Sequence, residues 1–381
     1  MRRITLFPLG IIVAFLISFY MATFRLSFFY QEVDLLPVVA VLVIISFVFA
    51  VALPFSRLYH TPETVSNDYL TFYVQALVVV IFFLVELAYF GVPLFGLDRS
   101  EFAGFKSLHV IFYAFIIYLN IKSATFASIR PVLLIFVVSC LLGALMLTRQ
   151  LLMYSFLVFV ISLASQGKIK LWQILIMCAL VVVAFSTLGN IRESGGSDLI
   201  FTVGGANEDG RKLPASLYWM WLYIVCPIYN LSYNFQSHDI LEIRVDDVKA
   251  LLTNIFVPEF FYARFEIMRP QPDYIIPYLN VASGFGLTAK LAGIVGVLIH
   301  SISLLIFYFL GLIFLNGKYK TAFIVHFSAC AILFFFDNKF IQAEYYLAFV
   351  YLYLFSFTGC LVKYFMFYKR GQRSLVVADD D

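Results

Sequence analysis

Charged groups break into the apolar stretches of this chain at only a few places: Glu86, Arg149, Arg192, Asp337, Lys339 and Glu344, with His300 and His326 set deeper. Carrying a charge into an apolar slab costs about 2.5–3.5 kcal/mol, so each such group must be paired, solvated or useful. Guanidinium groups grip oxyanions through two parallel hydrogen bonds. Carboxylates and imidazoles in a partly dry site exchange protons with a reacting group. Structural readings stand beside these. Arg149 would cap a hairpin and snorkel, and Arg192 would end a helix where a cation complements the dipole. Glu86 and Glu344 would sit in ion pairs, His300 in a hydrogen-bonded core, and Asp337 with Lys339 in a solvated turn.

The elements carrying these residues follow from composition. Hydrophobic residues make up 62% of the chain and charged ones 13%, against about 25% charged in soluble domains. The expected class is an all-α polytopic membrane protein of about 10–12 transmembrane helices. A span needs about 20 apolar residues, and ten segments qualify: roughly 4–24, 35–53, 70–90, 108–121, 131–148, 150–165, 171–189, 291–315, 321–337 and 340–361. The fifth and sixth are separated only by Arg149-Gln150, a tight hairpin. Met1-Arg2-Arg3 opens the first span, which is too long for a secretory signal and lacks a small-residue cleavage site.

Three regions result: an N-terminal bundle over 1–189, a large polar segment over 190–290, and three helices with a tail over 291–381. Arg2, Arg3, Arg57, Lys122, Arg130, Lys168, Lys170, Lys318, Lys320 and the basic tail after Lys363 fall on one side. The positive-inside rule makes that side cytoplasmic, with both termini, and puts the large segment outside. Within it, 217–231 and 248–261 are expected as re-entrant or surface helices, or as two further spans. The polar residues then cluster in the outer half, which suits an outward-facing cavity. A proton or ion pathway would instead thread charges through the whole thickness.

The aromatic run Tyr218, Trp219, Trp221, Tyr223, Tyr229 and Tyr233 fits either sugar stacking or an interfacial belt. Cys140, Cys178, Cys226, Cys330 and Cys360 lie in apolar runs without ligand-like spacing, as small buried hydrophobes. No Walker loop, dinucleotide fingerprint, HExxH or nucleophile elbow occurs. Nothing points to nucleic acid.

Several stretches, in order along the chain, resemble the O-antigen polymerases of the Wzy type. Gly91-Val92-Pro93-Leu94-Phe95-Gly96 with Phe102-Ala103-Gly104-Phe105 is similar to that family's first outer loop. Leu188-Gly189-Asn190-Ile191-Arg192 resembles its glycine-asparagine-aliphatic-arginine element, and Pro227-Ile228-Tyr229-Asn230-Leu231 its proline-x-x-asparagine-leucine stretch. Leu251-Leu252 with Pro258, then Asn280, Gly284, Gly286, Gly293 and Gly296, matches the run into the next span. Cys226 stands where a serine is commoner, and Lys290-Leu291-Ala292 where an aspartate is expected.

The resemblance implies a GT-C-like glycosyltransferase of the bacterial inner membrane, working at its periplasmic face. A glycan on undecaprenyl pyrophosphate would pass to the distal sugar of a second lipid-linked repeat unit. Arg192 is then the first choice to hold the pyrophosphate, Arg264 the second, with Arg149 and Arg211 behind them. Asn230 would bond sugar or phosphate, with Tyr229 and Asn190 beside the substrate. Glu86, Glu344, His238 and His300 are the candidate bases. Without a DxD-type acidic pair, transfer is expected to need no metal or other cofactor. Partners would be the lipid-linked donor and acceptor and membrane lipid, with room for a polysaccharide chain-length regulator. The alternatives are an O-antigen ligase, which moves the same donor to lipid A-core, and a transporter of lipid-linked sugars.

Overall fold

The computed structural model describes residues 6–58, 66–95, 102, 104–170, 172–181, 196–236, 245–265, 270–315 and 317–358. No strand forms among them; one isolated bridge joins Ser27 to Ala206. The first seven helices are α1 (Leu6–Ala22), α2 (Leu36–Leu58), α3 (Tyr69–Phe90), α4 (Ser107–Ser123), α5 (Ile129–Leu145), α6 (Arg149–Ser165) and α7 (Trp172–Val181). Three short helices follow: α8 (Gly196–Val203), α9 (Glu208–Arg211) and, after α10 (Ala215–Gln236) and α11 (Val245–Phe256), α12 (Glu259–Arg264). The chain closes with α13 (Gly286–Phe314), α14 (Gly317–Leu333) and α15, residues 343–358.

Local chemistry sets several boundaries. The Asp68 carboxylate accepts from Thr71 N at 3.3 Å and caps α3; the Thr71 side chain, and then this backbone bond, hold its carboxyl below the usual range. Ser128 accepts from Arg130 N at the start of α5. The hairpin between α5 and α6 turns at Met146–Thr148, where Leu147 takes a φ of 51° and Thr148 N donates to Gly143 O at 2.8 Å. Arg149 and Gln150, expected as the hairpin itself, are instead the first turn of α6.

The helices run alternately between two ends. At one end Ser66 N donates to Thr125 O at 3.0 Å, Lys122 Nζ to Gln75 Oε1 at 2.8 Å, and Lys168 Nζ to Ala127 O. Lys122 and Lys168 lie at that end. The opposite end gathers the buried or half-buried charges Glu86, Arg149, Asp337, Lys339 and Glu344.

Apolar side chains fill the interior and also cover much of the outside. On α3, Phe72, Val79 and Phe83 are buried, while Leu70, Val74, Leu77, Ile81 and Leu84 are exposed. Such a helix, hydrophobic all round, suits an apolar solvent on its outer face. Two helical stretches, Tyr69–Phe95 and Gly286–Phe314, are long and apolar enough to cross a membrane, and six shorter helices are apolar.

Neither helix of the 217–261 region runs along the bundle. Trp221 Nε1 donates to Met21 O at 2.9 Å, Tyr229 Oη to Ala22 O at 2.6 Å, and Ser18 Oγ to Ile224 O at 2.5 Å. Ser232 Oγ donates to Asp34 O. Three turns of α10 therefore meet the last turn of α1 and the connection after it, so α10 lies across that end. Tyr30 stacks on Tyr229 at 4.1 Å between ring centroids, and Tyr218, Trp219 and Trp221 are buried with them. Helix α11 has 12 residues, or about 18 Å, too short for a hydrocarbon core of about 30 Å. Leu251 and Ile255 of α11 pack on Ala292.

Helix α13 is broken at that contact. Ala292 takes φ −148°, ψ 22° and Gly293 φ 51°, ψ −137°, so a short arm, 286–291, precedes the long one. A side chain at Gly293 would be strained by its positive φ. Gly296 permits the chain to fold back: a Cβ there would stand 2.3 Å from Thr288 O.

Candidate functional site

The site begins with one face of α10. Cys226, Asn230 and Asn234 recur every fourth residue, so they form one stripe. Asn230 Nδ2 donates to Val281 O at 2.7 Å and its Oδ1 accepts from Ile275 N at 2.9 Å. Asn234 Nδ2 donates to Asp273 O and its Oδ1 accepts from Asp273 N, both at 2.8 Å. Two side-chain amides thus bind the irregular segment 270–285 as a neighbouring strand would. The other end of the segment is tied by Gly284 N to Phe334 O at 2.7 Å. Lys290, on the short arm of α13, pairs with Asp273 at 2.7 Å.

The second part is the turn between α14 and α15. Asn338 Nδ2 donates to Asn254 O at 3.3 Å and its Oδ1 accepts from Phe340 N, fastening the turn to α11. Asp337 Oδ1 accepts from Asn338 N at 2.7 Å, and its Oδ2 accepts from Gln342 Nε2. Lys339 Nζ donates to Gln342 Oε1 at 2.8 Å, lies 3.5 Å from Asp337 Oδ2, and sits over the Tyr345 ring. Asp337 and Lys339 were expected to be solvated. For Lys339 that expectation is corrected: it is only 3% exposed, because the turn folds inward between α11 and the 270–285 segment, while the Asp337 side chain keeps 43% of its surface open.

Two cavities meet at this turn. The larger, about 370 Å³, has Met153, Val181, Met220, Ile224, Leu333 and Phe336 in its wall and Arg149, Tyr223, Asp337 and Lys339 at its polar part. Arg149 Nη1 donates to Tyr223 Oη at 3.3 Å, and its guanidinium lies 5.7 Å from that ring's centroid. Two cations in a mostly apolar wall favour an anionic head joined to an apolar body. The smaller cavity, about 220 Å³, is polar: Asn254, Glu259, Gln271, Asn280, Ser283 and Asp337 are in its wall. Asn280 and Asp337 belong to both walls. Asn254 Nδ2 and Ser283 Oγ are buried there without a hydrogen-bond partner among the described residues. A buried polar group left so costs about 1–3 kcal/mol.

Of the residues given a role in catalysis or substrate binding from sequence, Arg149 alone enters these walls. Glu86 is fully buried, accepts from Phe105 N at 2.8 Å and pairs with His109 Nδ1 at 2.7 Å, holding the segment after α3 onto α4. Glu344, in the first turn of α15, is half-buried and within the electrostatic reach of Lys339, Glu259 and His109. His300 lies in the aromatic core, edge-on to Phe285 and Phe334 at 5.6 and 5.0 Å. Asn230 spends its amide on backbone, and Tyr229 its hydroxyl on Ala22. Arg211 and Arg264 are exposed, the former donating to Ala206 O at 3.3 Å. Arg192, Asn190 and His238 lie outside the described residues.

Sequence reasoning passed over Lys339, Asp337, Asn280, Asn254 and Ser283 as site residues. The available signal was the charged pair in Phe336-Asp337-Asn338-Lys339-Phe340, flanked by aromatics between two apolar runs. No protein-family model, curated protein or solved structure matches this chain.

Proposed function

We propose that this chain is a multi-pass enzyme of the bacterial inner membrane that polymerises undecaprenyl-pyrophosphate-linked repeat units by glycosyl transfer at the periplasmic face. The apolar exposed faces of the helices support the membrane reading, and the basic residues of the short connections, Lys122 and Lys168 among them, support a cytoplasmic assignment for the end where those two lie. The observation that carries the reading is the larger cavity, where Arg149 and Lys339, with Asp337, Asn280 and Tyr223 beside them, meet a mostly apolar wall. A prenyl pyrophosphate has the same division, a charged head on a hydrocarbon tail. The motif resemblance supplies the reaction class.

In that reaction the acceptor hydroxyl oxygen bonds to the donor's anomeric carbon. The carbon–oxygen bond to pyrophosphate breaks, and its electron pair leaves with undecaprenyl pyrophosphate. Arg149 and Lys339 would neutralise the charge growing on the departing oxygen, in a site dry enough to strengthen their pull. Tyr223 would orient the guanidinium.

A lipopolysaccharide gel tests this, with the gene deleted and then restored as wild type or Arg149→Ala. A polymerase leaves core plus a single repeat unit on deletion, and only wild type restores the ladder. Bare core with polymer retained on undecaprenyl would make the protein a ligase, and an unchanged ladder would overturn the reading.

A further inference from the structure

The smaller cavity is unlike its neighbour in charge and polarity. Its wall carries two carboxylates, Glu259 and Asp337, with amides and a hydroxyl, and neither Arg149 nor Lys339. Paired carboxylates disfavour a phosphate and accept hydrogen bonds from hydroxyl groups. Asn254 Nδ2 is a donor without an acceptor, and Ser283 Oγ is a donor and acceptor without either. Both residues are nearly fully buried, at 2% and 3% exposure. An uncharged, hydroxyl-rich ligand suits this wall, since its hydroxyls can both donate to a carboxylate and complement the Asn254 amide and the Ser283 hydroxyl.

From this, and resting on the transferase reading above, we infer that the polar cavity binds the acceptor sugar and that Asp337 takes the proton of its attacking hydroxyl. Asp337 is the acid that the two cavities share. Its Oδ2 is held by Gln342 and faced by Lys339, which fixes the carboxylate's position. As the acceptor oxygen bonds to the anomeric carbon, its proton passes to Asp337 and from there to water. The leaving electron pair goes to the pyrophosphate in the larger cavity. Strong basicity is unnecessary, because the positive character at the anomeric carbon acidifies the attacking hydroxyl as the bond forms.

The test uses the full chain in lipid nanodiscs and two probes. One is the repeat-unit oligosaccharide released by mild acid from the lipid-linked precursor of a deletion strain; the other is undecaprenyl pyrophosphate. Ser283→Ala and Asn254→Ala should each weaken oligosaccharide binding at least fivefold and leave undecaprenyl pyrophosphate binding unchanged. Because Ser283 Oγ has no hydrogen-bond partner among the described residues, Ser283→Ala should melt no lower than wild type. Arg149→Met should show the reverse binding pattern. Asp337→Asn should bind both probes and lose at least a hundredfold in kcat, with little change in KM.

Oligosaccharide binding that survives both Ser283→Ala and Asn254→Ala would overturn the assignment of the cavity. Full turnover by Asp337→Asn would overturn the role of that carboxylate. Either result leaves the transferase reading standing. Binding lost in the polar-cavity variants of a protein that makes no polymer would instead sink the transferase reading and keep the sugar site.

Discussion

Lys339 Nζ lies 3.5 Å from Asp337 Oδ2, the ammonium buried and the carboxylate partly open to both cavities. The pair joins two binding volumes of opposite preference. The ammonium belongs to the larger cavity's wall, and the carboxylate belongs to both. A charge held dry at the base of a cavity acts far more strongly than one in water. That makes Lys339 the most informative single position in the chain.

Lys339→Met should lower polymer synthesis by about 10²–10³-fold, the usual loss when one preorganised donor to a developing anion is removed. Lys339→Arg should recover part of it, since charge is kept while the fit to Gln342 is altered. Radiolabelled incorporation in membranes, normalised to protein level, measures both. A Lys339→Met enzyme at wild-type rate would remove this residue from the reaction.

Arg149→Ala should reduce turnover by about 10²-fold or more, and Arg149→Lys should keep only a small fraction, because an ammonium lacks the forked donors. Tyr223→Phe, which loses the 3.3 Å hydrogen bond to Arg149, should cost about tenfold or less. The ordering of the three rates is the check. Equal rates for Arg149→Lys and wild type would mean that charge alone suffices there.

Asn230→Ala should destabilise the protein by about 1–3 kcal/mol, since Ile275 N would lose its partner and Val281 O would keep only the weak bond from Cys226 Sγ. Thermal melting in detergent should show the drop, together with faster proteolysis within the 270–285 segment. A variant that melts normally but makes no polymer would return Asn230 to a direct role on substrate.

Gly293→Ala should cost about 1–3 kcal/mol, because φ 51° with ψ −137° is closed to a residue with a Cβ. The penalty should be relieved by straightening α13, which would move the short arm and the 270–285 segment tied to it by Lys290 and Asp273. Activity should therefore fall more than stability. Unchanged activity would show that the break is incidental.

Glu86→Ala should lower the melting temperature more than it lowers the rate of the protein that stays folded. The buried carboxylate holds Phe105 N and His109, and leaving buried partners unsatisfied is destabilising by about 3–5 kcal/mol for an ion pair. Loss of turnover at full stability would make Glu86 a base after all.

The helices were legible in the sequence because their causes are local. Long apolar runs such as 70–90 specify a helix with little need of partners, and caps such as Asp68 and turns such as Met146–Thr148 mark its ends. The gathering of charge at one end was legible for the same reason, since alternating runs count out which end each residue reaches. Placement across the chain was not. The 217–231 run reads equally as a span or a cap, and only its bonds to Ser18, Met21, Ala22 and Asp34, about two hundred residues away, lay it across the end of α1. Asn230 has the composition of a ligand-binding residue, yet its partners on 275 and 281 occupy it. Lys339 looks like part of a solvated turn until α11 and the 270–285 segment close over it. Burial is set by which distant segments cover a residue, so the tertiary structure alone decided which charges line a cavity.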